Sequence, residues 1–181
     1  MLIGLVGTLG SGKGTVREIL EDKGFKTKIF SVDVLEKELN KRKIPITRKS
    51  LRDIGSEIRS KEGLNAIAFR LIKSLDLNED CVIDGARNLG EVEEMKKHGF
   101  IIVGVDAPIK IRFDRLVFRA GPKDFKTWDE FIEQEKKDLD EKKPTGQQNA
   151  LCMKQAKHII INDLNHDVLV KKVDKLLENL R

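Results

Sequence analysis

The stretch Gly7-Thr8-Leu9-Gly10-Ser11-Gly12-Lys13-Gly14-Thr15, preceded by the apolar run Leu2-Ile3-Gly4-Leu5-Val6, constrains this chain more than any other part of it. Its glycines let the backbone fold back with N–H groups turned inward, and Lys13 adds a mobile cation at the same place. A helix is expected from Lys13, with Val16, Ile19 and Leu20 on one stripe and a stop at Gly24. The positive end of that helix points into the loop. Strand, loop and helix in this order make a cradle for a polyphosphate, with Gly7, Leu9, Gly10, Ser11, Gly12, Lys13, Gly14 and Thr15 as the candidate nucleotide-binding residues.

One position departs from the commonest form of the motif. Gly14 stands directly after the lysine, where Ser or Thr would place a hydroxyl on Mg²⁺, and the hydroxyl comes one residue later on Thr15. One residue along a helix is a rotation of about 100°, so Thr15 is a displaced candidate for the metal side of the site.

Further along, the strand expected over Thr27–Ser31 gives way to a helix through Val34, Leu35 and Leu39. Asp33 falls at that junction. The carboxyl ends of parallel strands line one crevice, which would set Asp33 across from Lys13; a helix N-cap is a second role, compatible with the first. Two helices separated by Gly63 fill Ile44–Leu77, too long for a simple crossover, so residues 33–78 read as an acceptor-binding insertion carrying Arg48, Arg52 and Arg59. The apolar strand Cys81-Val82-Ile83 ends in Asp84-Gly85-Ala86-Arg87. Asp84 is then the candidate for Mg²⁺ or its water, and Arg87 for two parallel bonds to a phosphate. After the strand Phe100–Val105, a helix begins near Pro108. It sets Arg112, Arg115 and Arg119 on one face and leads into Ala120-Gly121-Pro122-Lys123-Asp124. This pattern predicts a short lid over 119–128 whose Arg115 and Arg119 close on a transferring phosphoryl group.

A chain of 181 residues fits one domain with a full core. The net charge of +5 comes from short basic groups such as Lys41-Arg42-Lys43 and Lys171-Lys172. These are interleaved with acids and lack an aromatic ladder, so they read as solvated faces and not as a nucleic-acid surface. No apolar run approaches the roughly 20 residues that a membrane helix needs, and the N-terminus lacks a basic leader. Two cysteines without metal spacing, Cys81 and Cys152, suit a reducing compartment, so a cytoplasmic protein is expected. The three histidines have no ligand spacing either.

Taken together, these motifs resemble those of the P-loop nucleotide kinases over nearly the whole chain. Phe30-Ser31-Val32-Asp33-Val34-Leu35 and Asp84-Gly85-Ala86-Arg87 are similar to the acceptor-binding segments of adenylate kinases. Glu36 stands where that family has an arginine, however, and the second motif is one residue shorter. Leu2-Ile3-Gly4-Leu5, Val105-Asp106-Ala107-Pro108 with Arg115 and Arg119, and Ala156–Asn162 resemble dephospho-CoA kinase. Lys157 and Gly14 depart from that pattern. The resemblance implies an α/β P-loop three-layer sandwich: a parallel sheet of about five strands, helices on both faces, a short lid and a helical acceptor-binding insertion. It implies ATP and Mg²⁺ as cofactors, with Asn162 near the nucleotide. The implied activity is phosphoryl transfer to a small phosphorylated acceptor, foremost a nucleoside monophosphate. A hydroxyl acceptor of the dephospho-CoA type is the alternative, for which Asp33 would be the base. A regulatory ATPase acting on RNA or protein is the reading from a different class.

Overall fold

Leu2-Ile3-Gly4-Leu5-Val6 is apolar on both sides of its pleat, which a strand tolerates only when both faces of its sheet are covered. The computed structural model, which describes residues 1–119, 127–139 and 142–180, places it centrally. Strands β1 (Leu2–Gly7), β2 (Lys26–Ile29), β3 (Cys81–Asp84), β4 (Ile101–Asp106) and β5 (His158–Ile161) form one parallel sheet in the order β2-β3-β1-β4-β5. The chain leaves β1 for one side of the sheet and returns to its other side with β4. The crevice at this switch lies over the carboxyl ends of the strands.

Helices cover both faces. On one, Ile3, Leu5, Val82, Val103, Val105 and Ile160 pack against α1 (Lys13–Asp22) and α9 (His166–Leu180) through Val16, Ile19, Leu20, Leu169 and Val173. On the other, Val6, Ile83 and Ile102 meet α3 (Arg48–Glu62), α4 (Ala66–Ile72) and α5 (Leu89–Lys97) through Ile54, Ile58, Ile67, Leu71, Val92 and Met95. The expected three-layer sandwich is therefore present. Between β2 and β3 the chain runs through a π-helical turn (Ser31–Glu36), α2 (Lys37–Lys41), α3 and α4. The remaining helices are α6 (Ile109–Arg119), α7 (Trp128–Leu139) and α8 (Asn149–Lys154).

Several boundaries differ from expectation for identifiable reasons. β2 ends at Ile29 and not at Ser31, because the Asp33 carboxylate accepts the Ile29 amide at 2.8 Å and draws the chain into the π-helical turn. α7 begins at Trp128, where Thr127 and Glu130 exchange side-chain-to-backbone bonds of 3.2 and 3.3 Å. α8 has only six residues, too few for a helical period to show in the sequence. Trp128, at the start of α7, is 41% exposed and sets its ring edge-on to Phe113 at 5.2 Å. The expected lid loop Ala120–Asp124 lies outside the described residues.

Candidate active site

The phosphate loop is held from behind by three later parts of the chain: the end of β4, α6 and the turn after β5. Gly10 and Gly12 take φ of +76° and +90°. A Cβ on Gly10 would lie 2.6 Å from the Arg112 carbonyl oxygen; on Gly12 it would collide with Asn162 Nδ2, and on Gly7 with the Val105 carbonyl. Only glycine permits these approaches. Thr8 Oγ1 donates to Asp106 at 2.7 Å, and Arg112 donates to the Leu9 carbonyl at 3.1 Å. Asn162, expected near the nucleotide, spends its carboxamide on the loop: Nδ2 donates to the Ser11 carbonyl at 2.9 Å and Oδ1 accepts from Arg115 at 3.2 Å. Arg115 also reaches the Ser11 carbonyl, at 3.4 Å. Asn162 and Arg115 thus buttress the cradle in this conformation.

Lys13 Nζ donates to the Gly7 and Thr8 carbonyls, each at 3.0 Å. Burial pushes its pKa down to about 8; Arg87 and Arg112 act in the same direction, against Asp84 and Asp106. Asp84 ends β3 across from it. Burial raises the Asp84 carboxyl, while Lys13, Arg17 and Arg87 oppose the rise. Its Oδ1 is buried without a hydrogen-bond partner among the described residues, as are Ser11 Oγ and Arg17 Nε. Buried polar atoms are normally paired. Three orphans around one phosphate loop therefore fit a ligand that brings its own oxygens and a cation. Among the described residues no group of three or more acids, histidines or cysteines could hold a metal alone. Asp84 would hold Mg²⁺ together with phosphate oxygens and water. A Cβ at Gly14 would meet nothing within 4 Å, so the missing hydroxyl leaves open space. Thr15 is half-buried and does not line the cavity described next.

A cavity of about 340 Å³ opens from the loop toward the insertion. Leu9, Lys13, Asp84, Arg87 and Arg119 line it, joined by Arg48, Arg52 and Arg59 of α3 and by Leu35, Leu51 and Ile67. Arg59 is not available to a ligand: it is buried, pairs with Glu91 at 2.7 Å and donates to the Thr145 carbonyl at 3.0 Å. Arg112 is likewise locked, to Glu135 of α7 at 2.6 Å. Arg52 donates to Asp138 at 3.3 Å, and Arg87 donates to Gln147 at 3.0 Å. Once the Arg59–Glu91 pair and the loop-side Lys13 and Asp84 are set apart, Arg48, Arg52, Arg87 and Arg119 face Glu36 and Asp138. This end of the cavity is cationic and suits a small anion.

Asp33 is the expectation that the structure corrects. It does not face Lys13 across this cavity. From the π-helical turn, Ser31, Leu35 and Glu36 line the cavity, whereas Asp33 lines a separate pocket with Lys28, Lys37 and Arg70. Burial pushes its carboxyl up, but the Ile29 amide, Lys28 and Lys37 outweigh this and hold it below the usual range. The capping alternative describes it better, although it caps the end of a strand and not a helix. Glu91, Glu135, Asp138 and Gln147 carried no local signal; each meets its arginine from a distant element.

Among the described residues no helix is long and apolar enough to cross a membrane. A family model described as AAA domain matches residues 3–138. The UPF0200 protein of Pyrococcus furiosus is 34% identical over 185 residues, spanning 98% of this chain and 96% of its own. That of Pyrococcus horikoshii is 31% identical over 188 residues, spanning 99% and 97%. Among solved structures, shikimate kinase from Bacteroides thetaiotaomicron superposes with a TM-score of 0.62 at 17% identity, covering 98% of each chain. A gluconokinase from Sinorhizobium meliloti gives 0.55 at 18%, covering 99% of this chain and 94% of that one. These likenesses establish the P-loop kinase fold and reach beyond the adenylate-kinase and dephospho-CoA-kinase branches. With its phosphate loop inside the matched AAA domain and relatives alike over nearly their full length, the chain belongs to the UPF0200 protein family.

Proposed function

We propose that this protein is an ATP-dependent kinase that transfers the γ-phosphoryl group to a small anionic acceptor, foremost a nucleoside monophosphate. One observation carries the reading: Lys13 and Asp84 share a single cavity with Arg48, Arg52, Arg87 and Arg119. A hydrolase driving a conformational change has no use for a guanidinium-lined pocket beside its phosphate loop. A kinase needs both halves in one space.

In this reading the loop amides and Lys13 hold the β- and γ-phosphates, with Lys13 exchanging its two loop carbonyls for phosphate oxygens. Mg²⁺ at Asp84 supplies further neutralisation of phosphate charge when bound. Arg52 and Arg87 hold the acceptor's anionic group while Leu35, Leu51 and Ile67 receive its apolar part. Arg119 stabilises charge on the group in flight. An acceptor oxygen that already belongs to a phosphate needs no base.

A second reading, transfer to a hydroxyl, rests on Glu36. It lines the cavity and, among the described residues, has no ion-pair or hydrogen-bond partner, which leaves it open to take a hydroxyl proton. The shikimate kinases and gluconokinase that share the fold make hydroxyl acids the acceptors to include. ADP release is to be measured over a panel of nucleoside monophosphates, dephospho-CoA and hydroxy acids, with an acceptor-free control. Stimulation by one acceptor class is expected. Equal turnover in every well would overturn the kinase reading in favour of an ATPase. A hydroxyl acceptor whose turnover survives Glu36→Gln would remove the base.

A further inference from the structure

α7 carries a buried carboxylate into the anion-binding end of the cavity. Asp138, in its last turn, is only 4% exposed. It accepts from Gln134 Nε2 at 2.6 Å and from Arg52 at 3.3 Å, and lies 3.9 Å from Arg87 NH1. A negative charge at a helix C-terminus opposes the helix dipole. Burying it adds a desolvation cost that only close counter-charges offset. Those counter-charges are two of the guanidiniums that face the acceptor space. They come from different elements, α3 and the turn after β3, so the carboxylate bridges two residues placed to converge on one anion, Arg87 also donating to Gln147.

We propose that Asp138 is an internal stand-in for the acceptor's anionic group: a tethered carboxylate that engages Arg52 and Arg87 in the empty enzyme and that a phosphate or carboxylate must displace. The inference rests on the proposed acceptor site, but not on phosphoryl transfer. It makes the chain selective for acceptors whose anion outbids a carboxylate already in place. A neutral sugar or nucleoside leaves Asp138 seated. A phosphate monoester brings more charge and more acceptor oxygens than the single carboxylate it replaces. Asp138 is also separable from the anchoring of its helix. Glu135, one turn earlier, holds Arg112 at 2.6 Å, and the ring of Phe131 packs at a tilt against Phe113 and Trp128, with centroids 5.6 and 5.7 Å away.

The test measures inorganic phosphate binding by calorimetry without nucleotide, in a Lys13→Met background that disables the loop. Lys13→Met/Asp138→Asn, nearly isosteric, is expected to bind phosphate at least tenfold more tightly than Lys13→Met, because the competitor is gone. Adding Arg52→Gln should abolish the gain. The unliganded Asp138→Asn protein should also melt earlier and recover its midpoint with phosphate, since two guanidiniums are left without their anion. Equal or weaker phosphate binding in Asp138→Asn, with a native circular dichroism spectrum, would overturn the proposal and make Asp138 a positioning residue for Arg52. If instead no acceptor stimulates ADP release while Asp138→Asn still tightens phosphate binding, the kinase reading fails and the stand-in survives.

Discussion

Glu135→Ala is the perturbation whose size follows most directly from the structure. The Arg112 guanidinium has side-chain exposure of 7%, and so does Glu135, its ion-pair partner at 2.6 Å. Removing one member of a buried pair costs about 3–5 kcal/mol, chiefly because the other charge is left uncompensated. Here Arg112 keeps the Ala107 carbonyl at 2.9 Å, the Leu9 carbonyl at 3.1 Å and the Asp106 carboxylate at 3.8 Å. These residual partners put the expected loss at the lower end, about 3 kcal/mol. For a chain of this length each kcal/mol moves the melting midpoint by about 2–4 °C, so a fall of about 6–12 °C follows.

The assay is thermal unfolding of wild type, Glu135→Ala and Glu135→Gln, with urea titrations to check that the slope of the transition is unchanged. Glu135→Gln keeps an oxygen for the guanidinium and should lose less than Glu135→Ala. Because Arg112 donates to Leu9, loosening it should weaken ATP binding more than phosphate binding at Arg52. A fall of less than about 3 °C in Glu135→Ala, outside the range just worked, would refute the claim that this pair is the main charge compensation beneath the phosphate loop. An early melt with ATP affinity unchanged would refute the link to Leu9 while leaving the pair intact.

Three further outcomes are expected. Lys13 has a folded pKa of about 8 against an ordinary value of 10.5. The unfolded chain therefore holds the extra proton across that window, and this group makes the nucleotide-free protein more stable as pH rises from about 8 toward 10.5. Phosphate restores the charge, so ATP binding should take up a proton above about pH 8 and weaken as pH climbs; calorimetry in two buffers of different ionisation enthalpy reads this, and no uptake would contradict it. Gly14→Ser should fold normally, since a Cβ there meets nothing within 4 Å, and should lower the Mg²⁺ concentration needed for half-maximal ADP release; an unchanged requirement would mean that the open space is not on the metal side. Asp33→Asn should retain turnover within a few-fold while melting earlier by loss of about 1–3 kcal/mol from its bonds to the Ile29 amide and Lys28; a collapse of turnover at unchanged stability would return Asp33 to catalysis.

The parts of the site that could be read from sequence are those whose chemistry is packed into one short segment. The loop Gly7–Thr15 works through consecutive backbone amides, and Asp84 follows an apolar strand directly, so spacing alone locates both. Asp33 lies outside the cavity because its position depends on where β2 stops. The Ile29 amide takes the Asp33 carboxylate in place of continued strand geometry, and the π-helical turn that follows sends Glu36 into the cavity instead. A two-residue difference in strand length thus exchanged one candidate base for another.

The arginines show the deeper limit. In the sequence Arg48, Arg52, Arg59, Arg112, Arg115 and Arg119 are equivalent cations at helical spacing. The fold divides them by partners that spacing cannot reveal: Arg59 meets Glu91 across 32 residues, Arg112 meets Glu135 across 23, and Arg52 meets Asp138 across 86. Paired and buried, Arg59 and Arg112 hold the scaffold; Arg115 braces the Ser11 carbonyl; Arg48, Arg52 and Arg119 remain on the cavity wall. Arg52 differs from Arg59 in a further respect. Its carboxylate partner lines the same cavity at the end of a separately anchored helix, so that ion pair can open for a ligand without dismantling the core. On the proposed reading this separates an arginine that selects an acceptor from one that supports the fold, although both lie at helical spacing in the sequence.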